Sequence, residues 1–531
     1  MAMSTPTTTL YDRVRYRTLP LSQTHPDRLA TVATLFGMRP QPVEHCRVLE
    51  IGCGDGGNLI PGAYAFPESW FFGFDLAPSA VTRGMSAIRS LGLTNIELRH
   101  LSIMDVTEAL GTFDYVIAHG VYSWVPEPVR DRLLEICRAH LRPNGVAYVS
   151  YNTYPGCHLR QAARQVLQFH VEGIAEPEER IAQARALARF IADTPAYGDS
   201  IHFQEEMRSV LEHSPGLLFH DDLSPTNDPV YFYDFVQHGH RHGLQFLSEA
   251  NVWEMQDRIY PDDVVARLQQ LSDGNVVLKE QYLDFLKNRR FRQTLLCHEG
   301  VPVDRALRSA AVKALFVASS ARPTVEHPDI RSPSAVVEFR GPRGSGMSTD
   351  HRLAKAALFY LGTMWPRAVA LPELARQARA ILGEPSAGGP DAPGGEPPDV
   401  RALCDILITA YAAGLVELST TVPSFTLEVS ERPIVSPIAR LQAERGDDFV
   451  ATLRHASLHL EDLPARHLLS LLDGTRDRAA LLREMQAFVA RVADPSPSTP
   501  DATSLPCPAT VDAEGLERKL AELGRLSLLL R

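Results

Sequence analysis

The sequence predicts an α/β fold: a doubly wound parallel sheet carrying a helical insertion, then a helical middle region, then a winged-helix-like C-terminal domain. Three observations lead there. Between residues 47 and 151, short apolar strand-like runs alternate with helix-compatible stretches, the pattern of βαβ units. The first strand runs straight into a glycine-rich turn. The length, 531 residues, exceeds what one hydrophobic core supports, so several domains are expected.

The strands are read at Arg47–Ile51, Trp70–Asp75, 95–99, Phe113–Ala118 and 145–151, each short, apolar and β-rich, as buried parallel strands are. Helices fit 79–91 and 127–141. Ahead of the first strand, Thr24-His-Pro-Asp27 reads as a helix start, with Thr24 as cap and Pro26 in the first turn. Helices at 160–173 and 176–193 form the insertion. A helix over 234–242 ends at Gly243 and leads to Leu244-Gln-Phe-Leu247, a strand expected to return to the sheet. Residues 262–305 read as helical. Further on, 355–361, 371–382 and 400–413 are followed by strand-like 415–418 and 425–427, the winged-helix order of three helices and a hairpin. Gly/Pro-rich stretches at 383–398 and 494–508 interrupt this region, and a last helix is expected over 512–530. The expected units are therefore 1–160, the ligand-binding core; 161–218, the insertion; 219–305, the middle region; 306–440, winged-helix-like; and 441–531, helical.

Composition narrows the function. The net charge is -11, with 53 Lys+Arg against 64 Asp+Glu, which argues against a general nucleic-acid binder. Apolar windows are broken by charges too early for a membrane span. The Thr-rich first ten residues lack the pattern of a secretory signal. Seven cysteines without a C-x-x-C pair favour a reducing cytoplasm over a disulfide framework.

The most informative run is Val48-Leu-Glu-Ile-Gly-Cys-Gly-Asp-Gly-Gly-Asn58. Gly52, Gly54 and Gly56 leave backbone open to a ligand. The spacing is neither G-x-G-x-x-G nor a phosphate loop, and Glu50 just ahead would repel phosphate and suit an amine. Asp75, about 20 residues beyond the turn, is placed to take two ribose hydroxyls, with Leu76 beside it. Asp105, after the third strand, can accept from an adenine amino group. Together these describe an S-adenosylmethionine pocket, with Glu50, Gly52, Gly54, Gly56, Asn58, Asp75, Leu76, Asp105 and His119 as cofactor residues. The run Glu50-Ile-Gly-Cys-Gly-Asp-Gly56 resembles the E-x-G-x-G-x-G motif of class I methyltransferases, whose sheet is Rossmann-like.

Further phrases sharpen the resemblance: Thr24-His-Pro26, Leu35-Phe-Gly-Met38, Gly56-Gly-Asn-Leu-Ile-Pro61, Ala118-His-Gly-Val-Tyr-Ser-Trp-Val-Pro126, Val149-Ser-Tyr-Asn-Thr-Tyr-Pro-Gly156, His242-Gly-Leu-Gln-Phe-Leu-Ser-Glu-Ala250 and Leu472-Asp-Gly-Thr-Arg-Asp-Arg478. In these the chain is similar to the bacterial protein-lysine methyltransferases with a methyltransferase regulatory domain. The resemblance implies an S-adenosylmethionine-binding domain, a regulatory domain, a winged-helix-like domain and a protein lysine as acceptor. A small-molecule acceptor, and a cofactor-sensing regulator with a winged-helix interaction module, are the alternatives. A homodimer is a further expectation.

The acceptor is expected at the C-terminal ends of the strands, where Asn152, Tyr154 and Tyr122 can orient or cradle an amine. His119 is read as a pocket wall or a base, and Tyr11 with His25 as a lid over the methionine end, or else as a helix cap and packing. Asp221, Asp222 and Asn227 are expected in a polar loop along an acceptor channel, or in ordinary turns. No metal is expected. His238 and His242 share a helix face, but no carboxylate stands at H-E-x-x-H spacing. The basic run Lys287, Arg289, Arg290 and Arg292 reads as a solvated helical face, or else as a contact for an acidic substrate.

Overall fold

A computed structural model describes residues 10–198, 200–385, 398–460, 462–493 and 511–531. Seven strands form the central sheet: β1 (Arg47–Ile51), β2 (Trp70–Asp75), β3 (Ile96–His100), β4 (Phe113–Ala118), β5 (Leu141–Asn152), β6 (Leu244–Glu249) and β7 (Phe291–His298). Their order is β3-β2-β1-β4-β5-β7-β6. β1 to β5 are parallel, and β7 runs antiparallel between β5 and β6.

Successive side chains point to opposite faces of a strand, and both faces here are covered. Val48, Phe71, Tyr115 and Tyr148 join one core with Leu29, Leu35 and Ile60, carried by helices α1 (Pro26–Leu35) and α2 (Leu59–Ala65). Their chain neighbours Leu49, Phe72, Val116 and Val149 join the other, with Leu133, Leu134 and Phe235. These last come from α4 (Glu127–His140) and α8 (Phe232–Arg241). Helix α3 (Pro78–Leu91) packs beside β2 and β3. The insertion is α5 (Cys157–His170), α6 (Pro177–Asp193) and α7 (Ser200–Glu212), with a small core of its own around Leu167, Ala188 and Met207.

The returning strand β6 rejoins the sheet as expected, and takes its edge. The all-helical reading of 262–305 is corrected. Helices α9 (Asp262–Ser272) and α10 (Val276–Lys287) stop at Asn288, whose left-handed φ of 46° closes the helix. The basic run then leads into β7, and of its four residues only Arg290 is exposed. Arg292 is fully buried and pairs with Glu249 at 2.8 Å, Asp284 at 2.8 Å and Glu280 at 3.2 Å. Arg289 is buried against Asp284 at 3.0 Å, and Lys287 donates to the carbonyls of Glu254 and Gln256. A guanidinium is tolerated inside the sheet because several carboxylates neutralise it.

Beyond β7, a three-stranded sheet joins β8 (Phe316–Ala318) to Val369–Ala370 and Glu417–Ser419. Helices Arg352–Met364, Leu371–Leu382 and Pro398–Ala412 accompany it. The expected hairpin does not form: residues 425–427 are not a strand, and Glu417–Ser419 pairs with β8. This region shares the core of α1. Asp27 on α1 accepts from the backbone amides of Thr420 and Thr421 at 2.8 and 3.0 Å. The last segment has its own core around Val435, Leu468, Leu481 and Leu520. It contains the hairpin Phe449–Ala451 with Ser457–His459. The final helix ends at Arg525, and Leu529–Leu530 pairs with Ile434–Val435. Among the described residues no helix is long and apolar enough to cross a membrane.

Candidate functional site

Strand β1 delivers Glu50 and then the glycine turn. Gly52, Gly54 and Gly56 have φ of 73°, 55° and 75°, the left-handed region that favours glycine. The space is equally restrictive: a Cβ on Gly52 would stand 2.7 Å from Val121, and one on Gly54 2.5 Å from Thr18.

Five amides of this turn are already used. Gly52 and Cys53 donate to the Phe74 carbonyl at 2.9 and 3.1 Å, and Gly56 to that of Cys53 at 2.9 Å. Gly54 donates to Asp75 Oδ2 at 2.8 Å, and Gly57 to Thr18 Oγ1 at 2.8 Å. A phosphate cradle needs such donors free, so the turn is not one.

Its electrostatics point the other way. Glu50 is buried; Oε1 accepts from Asn58 Nδ2 at 2.8 Å, while Oε2 is buried without a partner. Burial pushes the Glu50 carboxyl up to about 8, against the Asn58 hydrogen bond. An orphaned carboxylate oxygen beside an open turn is suited to an ammonium group. Asp75, at the end of β2, takes Gly54 on one oxygen and Ala77 N on the other, both at 2.8 Å. Each oxygen can still accept another hydrogen bond, enough for a pair of hydroxyls. Burial raises its carboxyl too.

Next to Asp75, Leu76 is 57% exposed, and Met104, beside Asp105 on the short turn Ile103–Asp105, is 52% exposed. Asp105 is exposed. Apolar side chains left open at the C-terminal ends of β2 and β3 fit a flat aromatic group. β1 pairs Glu50 with Ile117, so His119 emerges one strand away. Its Nδ1 meets Tyr148 Oη at 3.0 Å and Ser150 Oγ at 3.3 Å, and burial pulls the imidazole down to about 4. Near neutral pH the imidazole is therefore uncharged and only weakly basic.

The residues expected on the acceptor side separate. Asn152 ends β5 and donates to Asn227 Oδ1 at 2.7 Å; Asn227 in turn donates to Gln161 at 3.1 Å. Tyr154 follows, partly exposed and stacked on His158 at 4.2 Å. Tyr122 faces elsewhere: buried against Tyr151 and Phe235, it puts its hydroxyl 2.8 Å from His238 Nδ1. Asp221 and Asp222 lie in a π-helical turn, not an open loop, both 3.6 Å from Arg160, with His213 2.6 Å from Asp222.

Sequence reading missed the strap over the turn. Thr18 bonds both Gly57 and Asp55, Arg15 pairs with Asp55 and Asp447, and Arg17 with Asp448. It also missed the hub role of Asn58, whose Oδ1 accepts from Leu21 N, Thr24 Oγ1 and His455 Nε2, each at 3.0 Å. Thr24 therefore does not cap α1. His25 packs between Phe66 and His455, at ring distances of 5.5 and 4.6 Å. The Tyr11 side chain lies outside the described residues.

Comparison with known proteins gives three family matches. A methyltransferase domain matches residues 48–145, a predicted methyltransferase regulatory domain 214–298, and the PKMT C-terminal winged helix domain 431–493. The regulatory match includes β6 and β7, so that domain completes the sheet. The winged-helix match overlaps the 306–440 stretch only over its last ten residues. RP789 of Rickettsia prowazekii, an uncharacterised protein, is 37% identical over 361 residues; the alignment covers 66% of this chain and 64% of RP789. RP028 of the same organism is 35% identical over 242 residues, 45% of this chain and 96% of its own length. PKMT2 from Rickettsia typhi, solved in complex with AdoHcy, superposes with a TM-score of 0.81 at 27% identity. That likeness covers 97% of this chain and 99% of PKMT2.

Proposed function

The chain belongs to the bacterial protein-lysine methyltransferase family, with its methyltransferase, regulatory and winged-helix domains, and from that premise we propose that it methylates protein lysine side chains. The cofactor is S-adenosylmethionine. When bound, it supplies a methyl group on a positively charged sulfonium, activated for in-line displacement by an amine.

The chain's own residues bind and orient. Glu50 would hold the ammonium of the methionine part on its unpartnered Oε2, Asp75 would take the ribose hydroxyls, and Leu76 with Met104 would flank the base near Asp105. Gly52, Gly54 and Gly56 let the ligand lie against the turn. On the acceptor side, Asn152 has its Nδ2 tied to Asn227, which leaves its carbonyl oxygen to receive an N–H of the incoming amine. Tyr154, at the rim, orients that amine through its hydroxyl. Tyr122, committed to His238, forms a wall and not a donor. A lysine ammonium, with an ordinary pKa of about 10.4, loses its proton as it is desolvated beside a positive charge. A dedicated base is not needed.

The observation that carries the protein-lysine reading is the extent of the likeness to PKMT2, which spans the regions beyond β7 as well as the core. Regions that a small acceptor does not require are retained across the whole chain. The test is quantitative mass spectrometry of methyl-lysine in wild-type cells, cells lacking the gene, and cells complemented with active or Gly54-substituted chain. A lysine mark lost in the deletion and restored only by the active chain supports the reading. An unchanged methyl-lysine proteome refutes it.

A further inference from the structure

The sequence places His238 and His242 on one helix face but offers no carboxylate at H-E-x-x-H spacing. The fold brings one from 107 residues earlier. Asp131, on α4, lies against the C-terminal end of α8. Its Oδ1 is 3.2 Å from His238 Nε2 and 2.9 Å from His242 Nε2. All three potential ligand atoms lie within 4.8 Å of one another.

We propose that Asp131, His238 and His242 form a binding site for one divalent transition-metal ion of the zinc class. An ion with bonds of about 2.0–2.1 Å in tetrahedral geometry keeps its ligand atoms roughly 3.3 Å apart. The two Nε2–Oδ1 separations are close to that and the third pair lies within 4.8 Å, so side-chain shifts admit the ion. Two imidazoles and one carboxylate suit zinc, cobalt or nickel; calcium and magnesium prefer all-oxygen shells.

The outer contacts are those a ligating imidazole needs. Tyr122 Oη lies 2.8 Å from His238 Nδ1, which fixes the ring and leaves Nε2 facing Asp131. His238 is 8% exposed in its side chain and His242 16%, whereas Asp131 is 59% exposed, so an ion can enter from the Asp131 side. The fourth position falls to water or to the second Asp131 oxygen. His240 points away from the cluster and is 3.8 Å from Glu299. The six described cysteines are all buried and contribute nothing.

The ion would clip α4 to α8. Because Tyr122 hangs on His238 and follows β4, the clip would stiffen the wall beside a cavity of about 600 Å³ lined by Tyr122, Arg130, Asp234, His238 and Arg241. No chemical step is assigned to it, and the site stands or falls independently of the lysine reading.

The test is titration of the chelator-stripped full chain with Zn2+ by calorimetry and with Co2+ by visible absorption. One equivalent should bind saturably, with a Co2+ ligand-field band, and Zn2+ should raise the melting temperature. Asp131→Asn and His242→Ala should each weaken binding at least about tenfold, whereas His240→Ala should leave it unchanged. Melting of each variant without metal confirms folding, and exposed Asp131 makes D131N the safer of the two. Absence of saturable one-equivalent binding overturns the proposal. So does binding that survives both D131N and H242A, or that is lost equally in H240A.

Discussion

Glu50→Gln tests the reading of the cofactor site through stability as well as binding. Glu50 is buried with one oxygen unpartnered, and its carboxyl is raised from 4.5 to about 8. The folded chain holds it neutral at pH 7, while the unfolded chain ionises it. A raised folded-state pKa means that stability is fully present below about 4.5 and is lost as pH rises towards 8. Over the 2.5 pH units between 4.5 and 7, at about 1.4 kcal/mol per unit, the wild-type carboxyl costs the ligand-free fold about 3 kcal/mol. Glutamine keeps the oxygen that accepts from Asn58 and removes the ionisation. E50Q should therefore be more stable than wild type at pH 7 by about 2–3 kcal/mol, with no gain near pH 4.5 and a plateau above pH 8. The assay is urea denaturation of the ligand-free chain from pH 4.5 to 9. AdoHcy calorimetry on the same samples should show E50Q binding at least about tenfold more weakly, through loss of a charge-assisted hydrogen bond. An E50Q chain that is less stable than wild type at pH 8, or that binds AdoHcy equally well, would refute the reasoning.

Thr18→Val keeps the shape of the strap but leaves Gly57 N without its acceptor; about 1–2 kcal/mol of stability should be lost in thermal melts, with AdoHcy affinity down roughly tenfold. Tyr154→Phe should lower kcat about tenfold, one hydrogen bond's worth, while the AdoHcy Kd stays within about twofold. A changed Kd with unchanged kcat would place the hydroxyl on the cofactor instead. Arg292→Met leaves Glu249, Glu280 and Asp284 without their shared cation, and denaturation should register a loss of about 3–5 kcal/mol; a neutral result would remove the network from the account of β7.

What could be read from the sequence was what is contiguous. Glu50, the three glycines and Asp75 sit within 26 residues, on a strand, a turn and the next strand, so their geometry follows from local rules. The short apolar strands announced themselves in the same way. β7 escaped because Arg292 breaks its apolar pattern; the burial of that residue depends on Glu249, Glu280 and Asp284, which the strand itself does not show. The 425–427 segment has strand-like composition, yet β8 captures Glu417–Ser419 from about 100 residues away. The strap and the hub were hidden for the same reason: Thr18 meets Gly57 across 39 residues, and His455 meets Asn58 across 397. Asp131 joins His238 across 107. Such pairings belong to the tertiary fold, and no local pattern carries them.

Methyl transfer from S-adenosylmethionine to protein lysine is tested most directly by incubating the purified full chain with methyl-labelled S-adenosylmethionine and lysate from cells lacking the gene. The products are then divided into protein and small molecules, and the protein is hydrolysed to its amino acids. Label is expected in the protein fraction, recovered as methyl-lysine and absent with a Gly54-substituted chain. Label confined to small molecules, or recovered on another amino acid, would contradict it.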